Sequence, residues 1–208
     1  MSAHPDLLAI WARGWALTRG VSPPSWDDGG WRVEVGLDDQ LRRYVFAKAD
    51  DAVARRAAAI SEPCIFLKVC ADAQEVRAIL PNTWSLRPSG FLMTLDGAMS
   101  EGPPPPQGYT TSLWQDGAVT FCTIRHASGA EAARGRFVIV DDRVIYDRIA
   151  VDPDHRRLGL GRQVMRTLET AAGGPRKAVL VATEEGQALY RTLGWGLHSP
   201  YTTAVIPG

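Results

Sequence analysis

Residues 152–169 read DPDHRRLGLGRQVMRTLE. Arg156 and Arg157 precede a Gly-x-Gly at Gly159 and Gly161. From Leu160 the apolar positions Val164, Met165, Leu168 and Ala171 recur at helical spacing until Gly173, Gly174 and Pro175 break the pattern. A helix start carries unpaired amides and a partial positive charge, and glycines let the backbone approach a ligand closely, so the stretch suits phosphate oxygens. The plain alternative is a tight strand-to-helix turn with solvated arginines. Two familiar nucleotide motifs do not fit. A dinucleotide fingerprint needs a third glycine where Val164 stands, and a P-loop needs Gly-Lys-Ser or Gly-Lys-Thr.

Upstream of this stretch, GAVTFCTIRHASG, ARGRFVIV and RVIYDRIAV read as an antiparallel meander, the last two strands joined by a tight turn at Asp141–Asp142. Downstream, KAVLVA is a short strand, EEGQALYRTL a helix stopped at Gly194, and TTAVI a closing strand, an order of βββαβαβ. Four consecutive prolines in EGPPPPQG, residues 101–108, fix an extended chain without donors and mark the expected domain boundary. The expected organisation is an N-terminal α/β half over 1–100, a proline-rich linker over 101–110 and a second half over 111–208. Before the linker, Leu7, Leu8, Trp11 and Trp15 form a helical stripe. Residues 31–96 then run strand, strand, helix, strand, helix, strand.

The 208 residues are 45% hydrophobic, enough to bury a core in one or two domains, and 23 basic residues balance 23 acidic ones. That balance argues against nucleic acid and against an anionic membrane surface as partners. Cys64, Cys70 and Cys122 lie in apolar runs without Cys-x-x-Cys spacing and read as reduced core residues. No His/Cys/carboxylate cluster has metal-ligand spacing, so no metal is expected. With no basic leader and no 18-residue apolar run, a cytoplasmic protein is the default expectation.

Residues 117–206 resemble the GNAT superfamily of acyl-CoA-dependent N-acetyltransferases. In that family an Arg/Gln-x-x-Gly-x-Gly/Ala signature follows a strand ending apolar-x-Val-x-Pro. Here Ile149, Val151 and Pro153 match the strand end, and Arg156, Gly159 and Gly161 match the signature. A second signature, a Tyr four residues before Gly-Phe, is met by Tyr190 before Gly194 and Trp195. The resemblance implies an α/β fold with a mixed, mostly antiparallel sheet flanked by helices, and acetyl-CoA as co-substrate. The first half loosely echoes the second, LPNTWSLRPSGFLM against YRTLGWGLHSPYTTAV, and is read as a degenerate copy of the same fold or as an unrelated α/β cap.

The same resemblance implies the site. Backbone amides of Leu158, Gly159, Leu160, Gly161 and Arg162, with the Arg156 and Arg157 side chains, would hold the pyrophosphate. The strand Arg148–Val151, including Ile149 and Ala150, would pair with the pantetheine arm, and an amide near Val151 would polarise the thioester carbonyl. Tyr190 is the candidate acid for the departing thiolate, its alternative being a packed helix aromatic. Many relatives carry a glutamate base where this chain has Ile145. Asp147, on the same face by alternation, is the substitute candidate, or else the partner of a neighbouring arginine. Glu184, His126 and His155 are weaker candidates that read as a helix cap and as strand or loop surface. Thr183 and Gly186 replace the Asn and Ala frequent in the family; Thr183 would cap the helix and touch the cofactor. Trp84 and Trp114 flank the proline segment and suggest an acceptor cleft. The function expected is N-acetyl transfer to a primary amine, on a small molecule or a protein; the alternative is a non-catalytic acyl-CoA sensor. The oligomeric state is left open, a dimer included.

Overall fold

The computed structural model describes residues 2–104 and 106–207. The chain forms two compact units: Met1–Met93, Val181–Glu184 and Leu197–Gly208 make the first, Thr94–Leu180 and Glu185–Gly196 the second. The units are not contiguous halves. The last strand of the chain belongs to the first unit, and residues 94–100 belong to the second, unlike the single division at the prolines drawn from sequence.

The first unit opens with helix α1 (Pro5–Arg19), started by proline at its first turn and stopped by Gly20 at φ 66°. Strands β1 (Ser25–Asp27), β2 (Gly30–Leu37) and β3 (Gln40–Phe46) follow, then α2 (Asp51–Ala59), β4 (Ile65–Val69), α3 (Ala73–Ile79) and β5 (Ser85–Leu95). The order β1-β2-β3 is antiparallel, whereas β3 and β4, linked through α2, run parallel as a helical crossover requires. The closing strand of the chain, β11 (Gly196–Val205), pairs antiparallel with β4. The core beneath α2 and α3 holds Phe46, Val53, Ile65, Leu67, Val76 and Trp84. Trp84 is only 1% exposed and donates from Nε1 to the Ala57 carbonyl at 3.1 Å. It therefore packs the core and lines no cleft, which corrects the suggestion made from its place beside the prolines. Trp11 and Trp15 are buried as their helical spacing predicts, Trp11 edge-on to Tyr201 at 5.3 Å.

The second unit is built on β6 (Tyr109–Asp116), β7 (Val119–His126), β8 (Glu131–Val140) and β9 (Arg143–Val151), an antiparallel meander. Strand β6 escaped the sequence reading because almost none of it is buried, so no apolar alternation marks it. A single 3-10 turn (Pro153–His155) leads to α4 (Leu160–Ala171), after which β10 (Lys177–Ala182) pairs parallel with β9 and α5 (Glu184–Thr192) follows. Hairpin, helix, parallel strand, helix is thus the order in both units, consistent with the expected degenerate copy. Cys64, Cys70 and Cys122 are free, and burial pushes the Cys122 thiol up to about 11.

Helix α4 seats on β8 at Gly135. A Cβ there would strike Ile149 and lie 2.6 Å from Val164 Cγ1 and 3.2 Å from Leu168 Cδ1. The segment before β6 is tied to the same helix. Met99 N–H donates to Glu169 at 2.7 Å, and Arg166 donates to the Met99 carbonyl at 2.6 Å.

Candidate functional site

The loop 156–161 turns into α4 through two left-handed residues, Arg157 at φ 61° and Gly159 at φ 78°. Gly159 is the N-cap, no side chain caps it, and the space around its Cα is open. The first helical bond runs from Gln163 N–H to the Gly159 carbonyl at 3.0 Å, so the amides of Leu160, Gly161 and Arg162 precede the ladder and have no acceptor within the helix. Leu160 is buried and anchors this turn, while Leu158 is 45% exposed. Gly161 is required by close packing: a Cβ would lie 2.8 Å from Leu189 Cδ2 of α5 and 3.5 Å from Val151 Cγ2.

The arginines divide their work. Arg156 and Arg157 are exposed, Arg156 within 3.7 Å of the Glu185 carboxylate. Arg162 donates to the Glu101 carbonyl at 3.1 Å and to Thr192 Oγ1 at 2.8 Å, so its guanidinium fastens residue 101 and the end of α5 to α4. A cavity of about 410 Å³ lies along this helix between Leu158, Gly159, Arg162 and Thr170 and the segment Glu101–Pro104.

Strand β9 changes partner character along its length. Its pairing with β10 covers Arg143–Ile145 against Lys177–Val179, so the residues beyond Ile145 turn an edge toward a strand that no longer follows them. On the other side, Arg134 pairs with Ala150 and Arg136 with Asp147, which leaves two residues of β9, Arg148 and Ile149, against Gly135 alone. This is a β-bulge, and Arg148 adopts φ 52° within it. Ile149, Ala150 and Val151 therefore continue from the bulge straight toward the turn of α4. The sequence signal for the bulge was Gly135, a glycine inside a strand pattern.

The two faces of the meander differ. Cys122 pairs with Gly135, whose face α4 covers; the adjacent row, Trp114–Phe121–Arg136–Asp147, points the other way. On that face Asp147 accepts from Arg136 at 3.0 and 3.2 Å, with both side chains largely buried, 12% and 14% exposed. Trp114 stacks on Phe121 at 3.9 Å with planes 2° apart. A cavity of about 190 Å³ opens here, and Arg148 of the bulge lines it together with Arg134, Arg136 and Glu131. Sequence reading reached Trp114, and Arg148 as strand backbone, but not Arg134 and Arg136, which follow no motif.

Tyr190 is 6% exposed, its ring 6.0 Å from Trp195. Burial, and secondarily the Asp147 charge, push its phenol well above the ordinary range, so it stays protonated. Thr183 directly precedes α5 and falls in the first unit. His155 accepts or donates at Nδ1 with Tyr109 Oη, 2.9 Å, in a cluster with His126 at the far end of β6 and β7. Neither histidine lines the 190 Å³ cavity. Among the described residues no group of His, Cys, Asp and Glu could hold a metal ion, and no helix is long and apolar enough to cross a membrane.

Comparison with known proteins agrees with this geometry. Residues 114–196 match the acetyltransferase (GNAT) domain family. A GCN5-related N-acetyltransferase from Kribbella flavida shares the fold over 97% of this chain and 96% of its own, at 15% identity and a TM-score of 0.62. One from Sphaerobacter thermophilus covers 98% and 93% at 11% identity, TM-score 0.56. A tandem GNAT protein from the clavulanic acid biosynthesis pathway covers 99% and 96% at 13% identity, TM-score 0.55, consistent with a first unit that repeats the second. No curated protein matches the chain in sequence. Turn and bulge fall within the stretch that the family model covers: positions 114–196 of this chain match the acetyltransferase (GNAT) domain.

Proposed function

We propose that the second unit transfers an acetyl group from acetyl-CoA to the primary amine of a small molecule. The observation that carries this reading is the continuous track from the bulge at Arg148, along the edge of β9 that β10 leaves past Ile145, to the uncapped start of α4. Acetyl-CoA supplies an activated acyl group and a diphosphate handle. The amides of Leu160, Gly161 and Arg162 and the exposed Arg156 and Arg157 are suited to the diphosphate, Gly159 leaving room for its approach. Backbone groups of Ile149–Val151 offer strand-like pairing to an amide-bearing arm, and an amide at the bulge offers oxyanion stabilisation. Tyr190 remains a neutral phenol at all physiological pH values, which supports it as the group that hydrogen-bonds and protonates the departing thiolate. Asp147 is committed to Arg136, which favours a structural role over that of the missing base. That same observation is what supports the second reading, a domain that binds acyl-CoA without turnover.

The test is Tyr190→Phe, followed by thiol release from acetyl-CoA over a panel of amines. The expected outcome is a kcat loss of about 10²–10⁴-fold with the affinity for CoA retained. Turnover by the intact protein on no amine, with tight CoA binding, would favour the binding-only domain.

A further inference from the structure

We propose that the 190 Å³ cavity beside the bulge selects an acceptor amine that also carries an oxyanion and a flat ring or conjugated group, in the manner of an aromatic amino acid. This rests on the acetyl-transfer reading and adds the class of acceptor to it. Three features of the cavity carry the argument.

The first is place. Arg148 belongs both to the bulge and to the cavity wall, so an occupant lies next to the backbone proposed to hold the thioester carbonyl, on the sheet face that α4 leaves open. The second is charge. Arg134, Arg136 and Arg148 line the cavity with Glu131 as the one lining carboxylate, paired to Arg134 at 2.8 Å, and Asp147 answers Arg136 from beside it. Three guanidiniums thus line one small cavity. Arg134 is 58% exposed, so it can turn to a ligand oxyanion at small cost, and guanidinium geometry matches a carboxylate in two parallel bonds. The third is shape. Trp114, stacked on Phe121, is half exposed and offers a flat wall. The volume falls below the ~300–1,000 Å³ of pockets for drug-sized ligands, which suits a small metabolite rather than a chain segment.

The guanidiniums also bear on the chemistry. A cation beside an amine disfavours its ammonium form and so favours the neutral amine that must attack, where Ile145 provides no carboxylate to take its proton. In the transfer the amine nitrogen forms a bond to the acetyl carbon and the C–S bond breaks. The amine loses one proton to solvent, and the thiolate gains one from Tyr190, which solvent restores.

The experiment compares matched amines, tryptophan against tryptamine and phenylalanine against phenethylamine, with 2-aminoethylphosphonate separating phosphonate from carboxylate recognition. Thiol release from acetyl-CoA gives kcat/KM, and calorimetry with CoA present gives the affinity of N-acetyltryptophan against N-acetyltryptamine. The expected result is a preference of about tenfold or more for the carboxylated member in turnover or in product affinity. Arg134→Gln, at a guanidinium that stands outside the residues assigned to CoA, should erase the preference while leaving CoA affinity intact. Equal or better use of the decarboxylated amines overturns the inference and leaves acetyl transfer standing. No turnover of any of these amines together with no binding of either N-acetyl compound, by protein that does bind CoA, overturns it as well, and loss of CoA binding itself would instead remove the underlying reading. A preference confined to 2-aminoethylphosphonate refutes the aromatic component.

Discussion

Arg136→Met removes the cation that Asp147 faces across β8 and β9 and leaves a carboxylate in a site where both side chains are about seven-eighths covered. Breaking a buried pair by deleting one partner costs roughly 3–5 kcal/mol, most of it the desolvation of the charge left behind. The guanidinium lies 5.9 Å from the centre of the Phe121 ring, and losing that contact adds about 0.5 kcal/mol. For a chain of this size the combined loss corresponds to a fall in Tm of roughly 7–22 °C. Urea denaturation of the wild type, Arg136→Met, Asp147→Leu and the double variant is the assay. The double variant exchanges the pair for two apolar groups and should return to within about 1–2 kcal/mol of the wild type. A loss below about 1 kcal/mol in Arg136→Met, or a double variant no better than the worse single one, would refute the view of Asp147 as half of a dry ion pair. Asp147→Asn separates structure from catalysis: a purely structural aspartate changes stability and leaves the pH dependence of kcat/KM in place, whereas a general base carries that dependence away with it.

Lys68 of β4 donates to Thr203 Oγ1 at 2.9 Å, and burial, with the charges of Arg43 and Arg19, lowers its ammonium to about 7. Between that value and the unfolded value near 10.5 the unfolded chain binds the extra proton, so stability rises with pH across this window. Lys68→Met should then stabilise the protein by something on the order of 2–4 kcal/mol at pH 6–7, after loss of the Thr203 bond, with the advantage shrinking toward pH 10; a gain independent of pH in urea melts would contradict this. Gly161→Val forces side-chain volume between α4 and Leu189 and should cost about 1–3 kcal/mol in thermal unfolding. Because the strain falls on the first turn of α4, it should also weaken CoA binding by about tenfold or more, and a variant that binds CoA as the wild type does would argue against the role given to this turn.

Much of the second unit was legible because its signals are local. The stripe from Leu160 to Ala171 and the glycines at 173 and 174 delimit α4, the Asp141–Asp142 turn delimits the β8–β9 hairpin, and the Arg-x-x-Gly-x-Gly loop falls at the helix start as expected. What the sequence concealed is non-local. The exposed edge strand β6 has no buried face to pattern. Strand β11 was identified as a strand, yet its partner β4 lies more than a hundred residues away and nothing in TTAVI specifies it. Past the Arg136–Asp147 pair the bulge at Arg148–Ile149 shifts the register between β8 and β9 by one residue, and Gly135 is the sole hint of it in the sequence. Trp84 sits beside the proline run, and only its neighbours in space show that it fills the first unit's core.

The central claim is that the turn from Arg156 to Arg162 holds a diphosphate, and calorimetric titration of CoA into the intact chain tests it most directly, with pantetheine and inorganic pyrophosphate as parallel ligands. The account expects one CoA bound per chain, competition by pyrophosphate, and pantetheine weaker by about a hundredfold, since it lacks the group the helix start receives. Absence of heat with CoA, or pantetheine binding as tightly as CoA, would contradict it.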